Sequence, residues 1–570
     1  MKTRVRLSVL ALLLVSLSAF GASKKDDLDS LFAKYSALKQ FNGSALVANR
    51  DGIILKKGYG FANLEWQIPN AADTKFRLGS ITKQFTSMLI MQLVAEGKIK
   101  LDEKMTTYLP DYRADTGNRV TIRHLLTHTS GIPSYTNQPD FFQKVSRDPY
   151  SVADFVKAHT SGDLEFEPGS KFAYDNSGYF LLGAIIERVT GKPYEEVLRQ
   201  RIFDPLGMKD SGYDHWATVL PKRATGYELT PNGYRNAAYL DMSIPYAAGS
   251  LYSTVEDLYR WDRALYETTL LSEELKATMY TPALQNYAFG WAVGPLKLQD
   301  GKTEVKTIRH NGGINGFSTV LVRVPDTREL VVLLDNTSRG DKLDEIAAGA
   351  LSVLHGITPR GPRKSVIDAV MSNMQTGVEK AIEDYRELKR TRPDEYDFNE
   401  ADLNRVGYTL LAQGRNTDAI AIFKLNVEMY PQSSNTYDSL GEAYMVHGDH
   451  DNAVANYKKS LELNPKNTNA TEKLEQLAKP PAEKLKLDLD RYVGRYELAP
   501  NFVLTITHEG DALKAQATGQ PKLSLVAASA TEFDTVGVAA RLVFTLGESG
   551  PATALTLKQG GREIPGKRIE

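Results

Sequence analysis

Cysteine is absent from all 570 residues. Its absence excludes disulfides, a thiol nucleophile, a lipid-modified cysteine behind an export signal and any zinc site built on cysteine. Neither sign of charge is in excess, with 69 Lys+Arg against 70 Asp+Glu and a formal net charge of -1. No basic surplus marks a nucleic-acid partner. Beyond the first residues there is no apolar run long enough for a membrane-spanning helix. What is there is 42% hydrophobic and 24% charged, the composition of a chain that builds folded cores. The length is too great for one core and suggests three or four domains.

The opening residues read as a secretory signal, expected to occupy 1–21. Lys2, Arg4 and Arg6 form a basic start, Leu7 to Phe20 an apolar stretch, and Ala19-Phe20-Gly21 a cleavage site of small residues at its ends. Such a segment addresses the chain to the periplasm or the medium, with no membrane span left after cleavage. Without disulfides, the exported protein must rely on packing alone.

Phe41 to Asn49 and Gly52 to Phe61 read as two strands about an Arg50-Asp51-Gly52 turn. About 200 residues of helical pattern and loop follow. Strand-like runs return at Thr307 to His310, Phe317 to Val324 and Leu330 to Asp335. Strands at both ends with helices between predict one α/β (α+β) domain, over 27–358, its antiparallel sheet built from both termini and flanked by helices.

After Pro359 the pattern becomes a repeat. Gly407, Gly414, Ala419, Phe423 and Pro431 recur 34 residues later as Gly441, Gly448, Ala453, Tyr457 and Pro465. That is the tetratricopeptide period, with small residues where helices meet, an aromatic in the groove and proline as the stop. Ala381, Tyr385 and Pro393 repeat part of the spacing, so an all-α domain is expected over 365–479. Such arrays present a surface for a peptide or a protein partner; the alternative here is a rigid spacer. Pro480-Pro481 ends the helices. Alternating runs from Tyr492 onward then predict a small all-β, barrel-like domain over 484–570.

Chemistry is concentrated in the first domain. Ser80 and Lys83 stand at i and i+3 on one face of a helix that is apolar nearly all round. Burial disfavours the ammonium form, and an amine so tuned can take the serine proton. Ser36 and Lys39 have the same spacing on a charged helix before the first strand and serve as the decoy. Tyr174-Asp175-Asn176 precedes a second apolar helix: a phenol can relay a proton, and an amide can fix a substrate amide. The tripeptide pattern also occurs at Tyr135-Thr136-Asn137 and Tyr234-Arg235-Asn236. A strand ending in His310-Asn311-Gly312-Gly313 would let a substrate lie against bare backbone, one N–H pairing with that of Ser80 as an oxyanion hole. The competing reading is a glycine-rich turn. His124 and His128, at i and i+4, could suggest a metal pair, but the glutamate of a zinc motif is missing, and the family resemblance described next implies that they are structural.

In this order and at these separations, Ser80-Ile81-Thr82-Lys83, Tyr174-Asp175-Asn176 and His310-Asn311-Gly312 resemble the motifs of the serine β-lactamase-like superfamily: class C β-lactamases, D-aminopeptidases and related esterases. "HLLTHTSGI", "FDPLGMKDSGY", "AAGSLYSTVEDLYRW" and "YAFGWAV" resemble it too, and the terminal β-domain is similar to the lipocalin-like domains that follow the catalytic part in some members. The resemblance implies an acyl-enzyme mechanism with Ser80, Lys83 and Tyr174 as catalytic residues. Asn176, His310, Gly312 and Gly313 would bind substrate, with no metal and no cofactor. The substrate would be a small ester, amide or peptide. Where class C β-lactamases carry Lys-Thr-Gly, this chain has His310-Asn311-Gly312. A neutral histidine holds a carboxylate less well, which favours an esterase or a D-amino-acid peptidase over a β-lactamase or penicillin-binding protein. A catalytically silent binding or sensor protein acting through the repeats is the alternative of a different class.

Overall fold

The computed structural model describes residues 23–569 except 139–140, 231–232, 372–373, 375–376, 479–486, 501, 511, 521, 537–539, 548–549 and 560–561. The expected signal segment lies outside the described residues. The chain divides into two units, residues 1–362 and 363–570.

In the first unit, helix α1 (Lys24–Ala37) precedes the hairpin of β1 (Gly43–Asn49) and β2 (Gly52–Tyr59). Next come α2 (Thr82–Ala95), α3 (Asn176–Thr190) and the short α4 (Tyr246–Gly249). Strands β3 (Ala292–Lys297), β4 (Glu304–Ile314), β5 (Phe317–Val324) and β6 (Glu329–Asp335) follow, and α5 (Gly340–Leu354) closes the unit. The sheet order is β3-β4-β5-β6-β1-β2, antiparallel throughout, with Gly43 opposite Asp335 and Ala48 opposite Leu330. The first and last strands of the domain thus meet at its centre, as the two-ended strand pattern implies.

Both faces of this sheet are buried. Ala45, Val47, Val320, Val322, Val331 and Leu333 pack with α1 and α5. The alternate residues Leu46, Ala48, Leu321, Val332 and Leu334 join the core that contains α2 and α3. Period-2 alternation thus divides one apolar strand between two cores, which is why β5 and β6 read as unbroken hydrophobic runs. Helix α1, charged as it is, buries one face against the sheet through Leu28, Leu31, Phe32 and Tyr35. The decoy Ser36 lies at its C-terminal end, away from the other motifs.

Two sequence expectations change. Strand β4 does not end at His310. It runs on through Gly312 and Gly313 to Ile314, because Gly312 pairs with Thr319 and Gly313 with Ser318 on β5. The turn reading of these glycines is overturned. Strand β3 was not expected. Its Gly294-Pro295 pair looks like a turn, yet an edge strand tolerates a proline that has no N–H to give.

In the second unit, α6 (Val378–Thr391), α7 (Glu400–Ala412), α8 (Asn416–Met429), α9 (Ser434–His447), α10 (His450–Leu463) and α11 (Thr468–Ala478) form the tetratricopeptide-like array. The repeat residues have the roles their chemistry suggests. Ala419, Phe423, Ala453 and Tyr457 are fully buried, and Gly414 and Gly448 end helices at φ +72° and +89°. A Cβ on Gly407 would stand 2.4 Å from the Phe423 ring. Gly407→Ala is therefore expected to destabilise this unit by about 1–3 kcal/mol, read as an earlier transition of the helical unit in denaturant. Eight further strands, β7 to β14, run from Gly494–Ala499 to Arg562–Arg568 and close into a barrel. Its interior is filled by side chains, among them Tyr496, Phe533, Leu542, Phe544 and Leu555.

Candidate active site

Ser80 lies in a tight turn, Gly79–Ile81, that feeds directly into α2. Gly79 is there because the turn needs φ +55° and because a Cβ would stand 2.9 Å from the Gly313 backbone. Every residue of α2 from Thr82 to Met91 is buried, Lys83 among them at 0% exposure. The Lys83 amine is 3.0 Å from Ser80 Oγ, 2.9 Å from Asn176 Oδ1 and 2.9 Å from the Ala248 carbonyl. Burial pushes its pKa from 10.5 down to about 7, against a smaller upward pull from Asp175.

This geometry distinguishes the two protonation states. A neutral amine has two N–H groups and one lone pair. The Asn176 and Ala248 oxygens can only accept, so they take the two N–H groups. The lone pair is left facing the Ser80 hydroxyl.

Asp175 caps α3, accepting from Gly178 N at 3.0 Å and from Ser130 Oγ at 3.2 Å. That cap places Asn176 at the first turn of α3, where its amide donates to Thr136 Oγ1 at 3.2 Å while its oxygen receives Lys83. Burial raises the Asp175 carboxyl to about 7. Tyr174 lies beside Ser80, which hydrogen-bonds with its phenol, and burial of the hydroxyl raises the phenol above its ordinary value. The Lys83 amine stands 4.9 Å from the centre of the Tyr174 ring and 5.5 Å from that of Tyr179, positions that stabilise an ammonium once a proton arrives.

His128 supports the tyrosine from behind, its ring 4.2 Å from that of Tyr174. It is fully buried, accepts from Asp175 N at 3.0 Å through Nδ1, and is held well below the ordinary histidine range by burial and by Lys83. His124 lies in the helix Ile122–Leu126, whereas His128 lies beyond it at φ +56°, so the two do not share a helix face. Among the described residues no three metal-ligating side chains cluster.

His310 Nδ1 is 2.6 Å from the Asn311 carbonyl, which can only accept. The proton is therefore on Nδ1, and Nε2 accepts from the Tyr287 hydroxyl at 2.8 Å. Burial first, and Lys83 second, lower its pKa to about 4. A His310→Gln variant is accordingly expected to leave the acid limb of kcat/KM at about pH 7, as read from a pH–rate profile. Gly312 has no room for a side chain, since a Cβ would be 1.9 Å from the Leu78 carbonyl, whereas a Cβ on Gly313 would meet open space.

Ser80, Asn176 and Gly313 line a cavity of about 440 Å³. Tyr135, Phe141, Phe142, Leu240, Ile244 and Phe317 form its apolar walls; among the described residues Glu228 is the one acidic lining residue and no lysine or arginine lines it. The structure thus brings Ser80, Lys83, Tyr174, Asn176, His310, Gly312 and Gly313 together. Sequence reasoning missed Thr136, set aside with the Tyr135-Thr136-Asn137 decoy, and it missed the Ala248 carbonyl.

The Beta-lactamase family model matches residues 28–354. A tetratricopeptide repeat model matches 434–467, and a domain of unknown function, DUF3471, matches 478–568. Penicillin-binding protein 4* of Bacillus subtilis (strain 168) is 30% identical over 389 residues, covering 62% of this chain and 83% of that protein. The D-amino acid amidase from Ochrobactrum anthropi SV3 complexed with D-phenylalanine superposes with a TM-score of 0.51 at 25% identity, over 59% of this chain and 99% of that one. FmtA from Staphylococcus aureus superposes with a TM-score of 0.50 at 25% identity, over 60% and 90%. With more than half of its length matched by that model and with this serine, lysine and tyrosine in one cleft, the chain belongs to the Beta-lactamase family.

Proposed function

We propose that the protein is an exported serine hydrolase that cleaves an ester or amide through an acyl-enzyme on Ser80. The observation that carries this reading is the buried Lys83 amine, 3.0 Å from Ser80 Oγ and brought to about pKa 7. Lys83 takes the Ser80 proton as Oγ bonds to the substrate carbonyl carbon. The oxyanion that forms is received by the backbone N–H groups of Ser80 and Gly313, each such donor typically worth about 10²–10³ in rate. Tyr174, kept protonated by burial, gives its proton to the leaving oxygen or nitrogen and is restored from the Lys83 ammonium. Lys83, neutral again, then activates the water that releases the acyl group. Asn176 holds the lysine and orients the substrate, which lies along the open backbone at Gly313.

A neutral His310 and a cavity lined by no lysine or arginine among the described residues support an ester or a D-amino-acid amide over a substrate that must be anchored by a carboxylate. The likeness to a D-amino acid amidase points the same way. A second reading, acylation by β-lactams, is favoured by the relative that is a penicillin-binding protein by name. A panel of p-nitrophenyl esters, D-amino-acid amides and a chromogenic cephalosporin separates the two readings.

The basic start and apolar stretch before residue 22 support export to the periplasm or the medium, and no helix among the described residues is long and apolar enough to cross a membrane. The repeats support docking of a peptide or protein. A fluorophosphonate probe is expected to label the wild type and not Ser80→Ala. A folded wild type that resists labelling would instead favour a catalytically silent sensor.

A further inference from the structure

A second cavity, of about 320 Å³, lies in the first unit and shares no lining residue with the cleft that holds Ser80. Its walls are aromatic. Tyr194, Tyr213 and Tyr246 meet with ring centroids 5.2–6.5 Å apart, and Trp216 stands at the mouth, 68% exposed.

Three carboxylates face the same space: Glu187, Glu195 and Asp241. Glu187 accepts from Tyr194 N at 2.9 Å. Asp241, buried, accepts from Ser243 N at 3.0 Å, from Ser243 Oγ at 2.6 Å and from the Tyr239 hydroxyl at 3.1 Å. Glu195 accepts from His215 Nε2 at 2.6 Å. Among the described residues none of the three is paired with a lysine or arginine, and none of the residues lining the cavity is one. Glu187 and the buried Asp241 thus have no lysine or arginine beside them and Glu195 meets only the ring of His215, so a bound positive charge would be attracted to this space.

A second and independent sign comes from Tyr246. It is 95% buried, the complement of its 5% exposure, and its hydroxyl lies beside Glu187 with no hydrogen bond of ordinary length to satisfy it. Its backbone also stands at φ +40°, which a tyrosine does not adopt unless the surroundings impose it.

We infer that this cavity is a binding site for an organic cation, an ammonium group on a short apolar stem, held by the faces of Tyr213, Tyr246 and Trp216 and by the charge of Glu187, Glu195 and Asp241. Aromatic faces attract a desolvated cation through their quadrupole, and they do so without the directional demand of a hydrogen bond. The carboxylates add the attraction that rejects a neutral molecule of the same shape. The inference does not depend on the reading of Ser80 as a nucleophile.

Choline and its uncharged isostere 3,3-dimethyl-1-butanol test it, titrated calorimetrically into the full chain and into three variants. Choline is expected to bind saturably, and the isostere at least about tenfold more weakly, because a charge–aromatic contact with nearby carboxylates is worth on the order of 1.4 kcal/mol or more. Trp216→Ala and Glu195→Gln alter exposed side chains that leave the core intact, and each is expected to weaken choline several-fold. Ser80→Ala is expected to bind as the wild type does. Equal binding of choline and the isostere, no saturable binding of choline, no effect of Trp216→Ala and Glu195→Gln, or loss of binding in Ser80→Ala would each overturn the inference.

Discussion

Lys83→Met is expected to lower kcat/KM by about 10²–10⁴, the usual worth of a general base, and at the same time to make the fold more stable. The two effects have one cause. Holding a fully buried lysine at about pKa 7 rather than 10.5 costs the native state on the order of 5 kcal/mol at and below neutral pH. Methionine fills a similar volume without charge, but it gives up three hydrogen bonds at roughly 1 kcal/mol each, so a net gain of about 2 kcal/mol remains. The sign with pH follows from the lowered value. Between pH 7 and 10.5 the unfolded chain holds the lysine proton more often than the folded one, so wild-type stability rises with pH through that window. The variant lacks that rise. Its advantage should be greatest below pH 7, vanish at about pH 8–9 and reverse toward 10.5, where only the lost hydrogen bonds count, as chemical denaturation at several pH values would read.

Two neighbouring glycines should separate fold from function. In Gly312→Ala the new methyl would sit 1.9 Å from the Leu78 carbonyl and 2.3 Å from Thr319 Oγ1. Thr319 already donates to that carbonyl at 2.8 Å, fixing the segment that leads into Ser80. The backbone must shift, at about 3 kcal/mol of stability. The displaced serine should lose roughly 10² in kcat/KM, since misplacement of about an ångström has that effect. Gly313→Ala meets open space and keeps an extended backbone, so its melting temperature should stay at that of the wild type. Its methyl enters the channel where substrate lies, and KM should rise. Thermal melts beside steady-state kinetics of the two variants give the contrast.

What was legible in the sequence was what the side-chain pattern itself encodes. Ser80 and Lys83 could be found because a lysine stands out in an apolar helix, and the helical repeat because five positions recur in register. What remained hidden depends on backbone or on distant partners. The Ala248 carbonyl that helps to orient Lys83 carries no signal in its own residue type. Thr136 was passed over because Tyr135-Thr136-Asn137 matches a motif that is used elsewhere, and only the tertiary fold brings its hydroxyl to Asn176. Gly312 and Gly313 looked like a strand end because glycine is a poor strand former. They stay in the strand because the segment before Ser80 packs against them and leaves no room for a Cβ at Gly312.

The central claim is that the Lys83 amine is neutral, and hence a base, near neutral pH. A ¹³C NMR titration of the lysine Cε resonances tests this most directly, with the Lys83 signal assigned by its absence from Lys83→Met. That signal is expected to titrate near 7, about 3.5 pH units below the ordinary lysine value. A midpoint at 10 or above, with the rest of the lysines, would contradict it.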